Sequence, residues 1–520
     1  MRSFRRFSDN MRNKAFNLIE IFVFCFFIAL LFLCVATKSS TLYPFNDWVD
    51  TNASFTMGKA MMNGQVLYRD IFDQRGPLLY FIFGLAYLIS NTNFLGVFIF
   101  EVLSFSVFLY FSFKIFLLFL DIEYGLIALP LLAVSVLNLT SFSHGGSPEE
   151  LSLPMLTASL YFLLKYFIVE YPKPMPSKWI LINGLIAGCV LWIKFSLLGF
   201  WFGWMISIFI ILLINHGFLQ AMKAGLVFML GMVIATLPWL IYFGFHNAIL
   251  DWINAYILIN ITSYTDYSEK ISLIPNLKYI PIKFFGHLLL NPFIVGHLYL
   301  GFIVFLSNNK FTKQVYMRLG ILVCALFLSI SVYGFGKSHP YYFLIFSPFL
   351  ILSFVVLLTF AYQNFGKIES SKLLSIILII VMASTFSYIL LFHHNSYMLE
   401  VDQEELVQYN FASIINKTED ATLLNYGELD GGFYTATNIT PNVRFFQKQN
   451  IEEEKFPLGS EEQNRYIEEK LVEFVVIIMP VSESEKITDI PYLAQNYSLL
   501  QNEIQRYEHE VYNYYLFVKR

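Results

Sequence analysis

Charge is scarce in this sequence: Asp, Glu, Lys and Arg make up 14% of 520 residues, while 57% are hydrophobic. Soluble domains carry charge at about a quarter of their positions, so an ordinary soluble enzyme is excluded and a chain that crosses a membrane many times is implied. Cysteine is scarce as well. Cys25, Cys34, Cys189 and Cys324 all fall in apolar stretches, which excludes a disulfide framework and a thiolate metal site. The spacings of a zinc site, a Walker loop and a nucleophile elbow are missing, and so is any basic patch for nucleic acid. The tract NYGELDGGFYTATNITPNVRFF, from Asn425, contains glycine but lacks the G-x-G-x-x-G order, which argues against a dinucleotide site. There is no internal repeat.

What the chain does have is long apolar runs. A spanning helix needs about 20 apolar residues, with about 17 as a lower limit. Candidate spans cover residues 16–37, 93–114, 124–140, 152–169, 179–194, 197–215, 224–243, 286–306, 319–334, 341–361 and 374–392, eleven in all. Basic residues (Arg2, Arg5, Arg6, Arg12, Lys14) precede the first, and no small-residue cleavage site follows it, so it reads as a retained span with a cytoplasmic N-terminus. The stretch 76–90 would make about 22 Å of helix, short of the roughly 30 Å hydrocarbon core. It is expected to lie beside the membrane on the outer side, begun by Pro77 in its first turn. That choice leaves more Lys and Arg on the inner side than on the outer. The run 179–215 is too long for one crossing and is expected to be a hairpin with Lys194 at its outer tip. Beyond Phe392 the composition becomes that of a soluble domain. β-like runs at 422–426, 474–479 and 514–518 alternate with helix-like stretches at 404–415 and 461–473. The expected architecture is a polytopic α-helical membrane domain, residues 1–392, followed by a small extracytoplasmic α/β domain, residues 393–520.

The polar residues that stand out lie in loops at the span ends. The first loop, NDWVDTNASFTMGKAMMNGQVLYRDIFDQRGPLLY from Asn46, places Asp47 and Asp50 just outside the first span. A helix is expected between Asp50 and Gly64, followed by Tyr68-Arg69-Asp70 and Arg75-Gly76-Pro77. Taken alone, Asp50 could equally cap that helix. The pattern resembles the first extracytoplasmic loop of the GT-C superfamily of polyprenyl-phosphate-sugar-dependent glycosyltransferases, which includes lipid A aminoarabinose transferases, protein mannosyltransferases and bacterial cell-surface sugar transferases. It departs from that pattern in one respect: the usual Asp-Glu pair is Asp50-Thr51, with Asp47 three residues earlier. The resemblance therefore implies a catalytic carboxylate at Asp50 or Asp47, with Asp50 favoured by its spacing to the glycine.

The same resemblance gives roles to residues further along. The second loop, SFSHGGSPEELSLP, offers Glu149 or Glu150 on the opposite wall, to orient the acceptor, share the base role or hold a divalent cation such as Mg2+ or Mn2+ with Asp50. Helix N-terminal electrostatics accounts for either residue equally well. His144 in that loop is a weaker candidate. A donor phosphate needs cations, and Arg69, Arg75, Lys194, Lys337 and His339 are available. The segment GKSHPYY resembles the His-Tyr step that opens a late span in these transferases, which adds Tyr341 and Tyr342 as substrate contacts or interfacial anchors. Tyr256, Tyr264, Tyr267 and Tyr279, in a long loop at 244–286, can stack on sugars or anchor at the interface.

The implied function is inverting sugar transfer from a polyprenyl-phosphate donor to a cell-envelope acceptor (teichoic acid, polysaccharide, lipid or protein) on the outer face of the cell membrane. A phosphate leaving group needs no general acid, so one base that deprotonates the acceptor hydroxyl suffices. The partners are the lipid-linked sugar, the acceptor and the bilayer, with no nucleic acid and no firm cofactor. Two alternatives stay open. A flippase or transporter would bury paired ionisable residues within the membrane, for which Glu101 is the candidate, and a surface-polysaccharide polymerase or ligase would differ only in its acceptor.

Overall fold

A computed structural model describes residues 18–264, 277–335, 338–507 and 510–520. The basic N-terminal residues Arg2, Arg5, Arg6, Arg12 and Lys14, together with Tyr267 and Lys337, lie outside the described residues.

Among the described residues, eight helices are long and apolar enough to cross a membrane: Ile19–Ala36, Leu95–Phe116, Pro148–Glu170, Phe195–His216, Phe218–Phe245, Val315–Tyr333, Pro340–Phe365 and Ser371–Phe392. The span expected at 286–306 starts earlier and is broken, with Tyr279–Leu290 and Pro292–Phe305 meeting at 115°. Pro292 cannot donate to the preceding turn, and the Asn291 side chain turns instead to accept the backbone N–H of Thr140 at 2.9 Å and its hydroxyl at 2.7 Å. Two expected spans are short helices, Ile122–Leu137 of 16 residues and Ser177–Leu191 of 15. Pro77–Ile89, expected beside the membrane, is a helix of 13 residues. The expected loop after Gly244 instead begins with an apolar helix, Ile249–Thr262. Trp252, Ala255 and Tyr256 recur there at helical spacing and are buried.

Lipid is as apolar as leucine, so these helices gain little from hiding apolar surface and associate through close fit. Glycine supplies that fit where Ser177–Leu191 crosses Phe218–Phe245. A Cβ at Gly184 would lie 2.1 Å from the Phe228 carbonyl oxygen, so no side chain can be accommodated.

The C-terminal part builds a four-stranded sheet from β1 (Leu423–Tyr426), β2 (Phe474–Pro480), β3 (Tyr497–Tyr507) and β4 (Glu510–Lys519), in the order β1-β2-β4-β3. β1 pairs parallel to β2, and the other pairs are antiparallel. The helices Val407–Ile415 and Leu458–Glu468 accompany it. One apolar cluster joins Phe411, Phe433, Phe445 and Val475 of this part to Tyr68, Phe72 and Tyr80 of the first loop and to Trp192 and Trp252 at helix ends. The sheet and the membrane-side loops thus share a core, and that core frames the site.

Candidate active site

Helix Val49–Met62 starts after Trp48, whose side chain makes no cap, and Asp50 falls in its first turn. The Asp50 carboxylate points away from the helix end. One oxygen pairs with the Arg75 guanidinium, and the other accepts the Tyr341 hydroxyl at 3.0 Å. Arg75 also reaches Asp73 at 2.6 Å, and Asp73 accepts the Tyr80 hydroxyl at 2.7 Å. Burial alone would lower the Arg75 pKa, but the Asp50 and Asp73 carboxylates override it and hold the guanidinium well above its ordinary value. Asp47 belongs to another pair. It meets Lys38 at 2.8 Å and does not line the cavity described below.

A second ion pair lies close by. The chain breaks between Ser177–Leu191 and Gly199–His216, and at that break Lys194 adopts an extended conformation. Its ammonium reaches Glu149 Oε1 at 2.5 Å and sits 3.6 Å from the centre of the Tyr342 ring. Glu149 is 1% exposed, and its Oε2 is buried with no hydrogen-bond partner among the described residues. Tyr341 and Tyr342 therefore bridge the two pairs, one on Asp50 and the other on Lys194. The His339 ring stacks on Tyr341 at 5.4 Å.

Glu150, next to Glu149, turns the other way. Ser147 caps the helix by accepting the Glu150 N–H at 3.0 Å, and the Glu150 carboxylate accepts the Gly146 N–H at 2.9 Å. It lies beside Glu101, whose two oxygens each accept the Thr37 hydroxyl at 3.0 Å. These contacts tie Glu101 to loop residues at the end of its span. Arg69 is taken up by Asp70 at 2.7 Å and the His246 carbonyl at 2.8 Å, with its side chain 43% exposed.

Asp50, Asp73, Arg75, Lys194, Tyr256, Tyr341 and Tyr342 all line one cavity of about 540 Å³. Much of the remaining wall is apolar: Phe195, Leu198, Phe202, Phe327, Ile330 and Val332, with the Phe202 ring edge-on to Phe327. Phe202 is 56% exposed on the outer surface of its helix, so the apolar end opens towards where lipid would lie. One space therefore joins a polar end of paired charges to an apolar passage. No group of three or more His, Cys, Asp or Glu that could hold a metal ion occurs among the described residues. Asp50 and Glu149 are each committed to a cation of the protein, so their arrangement does not fit a divalent ion.

Sequence reasoning passed over Asp73, two positions before Arg75, and Gln74 between them. It also had no local signal for Leu429 and Asn450, C-terminal residues that line the same cavity. The C-terminal part grips the helix that carries Asp50. Thr56 donates to Asp430 at 2.7 Å, Lys59 to the Tyr434 carbonyl at 2.6 Å and Thr435 to Asn52 at 3.3 Å.

Lys59 is fully buried, and that burial pushes its pKa down to about 7 against the raising pull of Asp430. An unfolded lysine titrates near 10.4. Between those values the unfolded chain binds the extra proton, so stability should rise with pH across that window. Comparing thermal unfolding of the wild type with Lys59→Met isolates this contribution: the difference in Tm should shift in favour of the wild type from pH 7 to pH 10 and stay flat below pH 7. A difference that does not vary with pH would mean that Lys59 titrates normally in the fold.

No protein-family model matches the chain, and no curated protein matches it. Solved structures do. ArnT from Cupriavidus metallidurans in the apo state is 10% identical, with a TM-score of 0.58 over 93% of this chain and 96% of that one. ArnT from the same organism bound to undecaprenyl phosphate is 11% identical, with a TM-score of 0.59 over 96% of this chain and 98% of that one. At such identities the likeness is one of fold.

Proposed function

This chain has the fold of the GT-C superfamily, and from that premise we propose that it is an inverting glycosyltransferase, moving a sugar from a polyprenyl-phosphate donor to a hydroxyl of a cell-envelope glycan or polymer at the outer face of the membrane. The observation that carries this reading is the single cavity with an apolar passage at one end and Asp50, Arg75 and Lys194 at the other. The passage takes the first isoprene units. Arg75 and Lys194 take the phosphate, and neither has to release its carboxylate, because a guanidinium has five N–H donors and an ammonium three. Asp50 accepts the proton of the acceptor hydroxyl, whose oxygen bonds to the anomeric carbon as the bond to the phosphate oxygen breaks. Polyprenyl phosphate leaves with the electron pair, and one displacement inverts the centre. Glu149 holds Lys194 in place. The reading places the membrane domain at 1–392 and the α/β domain at 393–520 outside. The ArnT structure with undecaprenyl phosphate bound supports the donor class.

The test is transfer of radiolabel from polyprenyl-phosphate sugars into membrane glycans by membranes containing the chain. Transfer above that of membranes without it, with an inverted anomeric linkage in the product, is the expected result. Absence of transfer with every donor, or retention of configuration, would sink the proposal.

A further inference from the structure

The C-terminal residues Leu429 and Asn450 reach the wall of the cavity, and the structure around them is unusually well secured. Three buried amide side chains fix the loop that bears Leu429. Asn425 donates to the Glu428 and Leu429 carbonyls at 2.8 and 3.0 Å, Gln447 accepts the Asp430 N–H at 2.7 Å, and Gln463 accepts the Gly427 N–H at 3.0 Å. The neighbouring strand of chain is tied to that loop by the Lys448 N–H on the Glu428 carbonyl at 2.9 Å. It is tied to the first loop by the Phe72 N–H on the Arg444 carbonyl at 2.9 Å and by Gln449 on the Phe72 carbonyl at 3.4 Å. A loop without regular structure that is held by this many buried bonds is preorganised.

The cavity residues beside it are amides. Gln74 is 9% exposed, and its Oε1 is buried with no hydrogen-bond partner among the described residues. Asn260 donates to the Gln74 carbonyl at 2.7 Å and lines the same space. A buried acceptor left open on a residue that lines a cavity points to a donor that arrives from outside. Carboxamides both donate and accept and carry no charge, which suits hydroxyl groups. A charged substituent would lose its water there without gaining an opposite charge, because the residues of this wall are neutral and Arg75 and Lys194 are taken by the donor phosphate in the reading above.

We propose that Gln74, Asn260 and Asn450, with Leu429 against the C–H face of the ring, form a subsite for the hydroxyls of an uncharged glycosyl unit. The proposal rests on the lipid-phosphate reading above and gives the C-terminal domain, through Leu429 and Asn450, a share in specificity.

Binding to the purified full chain in lipid nanodiscs, followed by intrinsic tryptophan fluorescence, tests it. The probes are methyl farnesyl phosphate, the farnesyl-phosphoryl diesters of glucose, galactose and mannose, and that of glucuronic acid. The tightest of the three neutral sugars is expected to bind about tenfold tighter than the methyl diester, and the glucuronate no tighter than the methyl diester. Gln74→Leu and Asn450→Leu should each remove most of that gain while binding the methyl diester as the wild type does. Equal affinity for all diesters, preference for the glucuronate, or loss of methyl diester binding in both variants overturns the subsite. If no diester binds at all, the lipid-phosphate reading falls and the subsite falls with it, an outcome distinct from the other three.

Discussion

Membranes carrying Asp50→Asn are expected to lose sugar transfer by a factor of about 10² to 10⁴, the usual worth of a positioned general base, at unchanged protein level. The substitution keeps the shape of the side chain, and its remaining carbonyl oxygen can still accept the Tyr341 hydroxyl. Arg75 keeps Asp73 as its ionic partner, so the loop should fold as before. What disappears is the ability to take a proton. Asp47→Asn is the matched control. Its carboxylate answers Lys38, whose side chain is 1% exposed, and lies outside the cavity. Transfer there should stay within a few-fold of wild type, with any cost appearing in stability. Equal losses in the two variants, or full transfer by Asp50→Asn, would remove Asp50 from the chemistry.

Lys194→Met should produce the largest combined effect. It leaves Glu149, 1% exposed, as a buried carboxylate without its cation. Removing one member of a buried pair costs about 3–5 kcal/mol, so a clear fall in Tm is expected. Transfer should drop by at least about a hundredfold as the donor phosphate loses a charge-assisted bond. The two effects can be separated. In Lys194→Met combined with Glu149→Gln the stranded charge is gone, so Tm should recover towards wild type while transfer stays low and the KM for donor stays high. Recovery of transfer in the double variant would show that Lys194 serves only to neutralise Glu149.

How far the sequence could be read depended on how local each signal was. The spans were legible because a twenty-residue apolar run is itself the cause of the helix. The break at Asn291 and Pro292 escaped notice because the apolar run continues through it. Strand β3 was missed for a different reason. It is an edge strand with Leu499 and Leu500 about half exposed, and a register irregularity between Leu499 and Gln501 upsets the alternation that marks a strand. In the candidate site, a resemblance pointed to Asp50 and Arg75, which line one cavity, and to two adjacent glutamates, one of which pairs with Lys194. Choosing between Glu149 and Glu150 needed the helix phase that sends one to Lys194 and the other to Gly146. Asp47 could not be set apart from Asp50 while the Lys38 pairing was unknown. Arg69 resembled a phosphate ligand, but it pairs with its neighbour Asp70 outside the cavity. Leu429 and Asn450 left no local trace, since their place in the cavity depends on contacts between distant parts of the chain.

The clamp on the helix that carries Asp50 has a bearing on when the protein becomes active. Thr56 and Asp430 are 374 positions apart, and Lys59 and Tyr434 are 375. At about 5–20 residues per second, a ribosome takes roughly 20 to 75 s to cover that distance. Throughout that interval the first loop has left the ribosome, while the residues that fix its helix have not yet been made. On the proposed function, the growing chain is expected to be inert towards a lipid donor until synthesis reaches the residues that follow the last membrane helix. A product cut short after that helix is expected to keep its membrane helices and to transfer no sugar, because the helix that carries Asp50 lacks its partners.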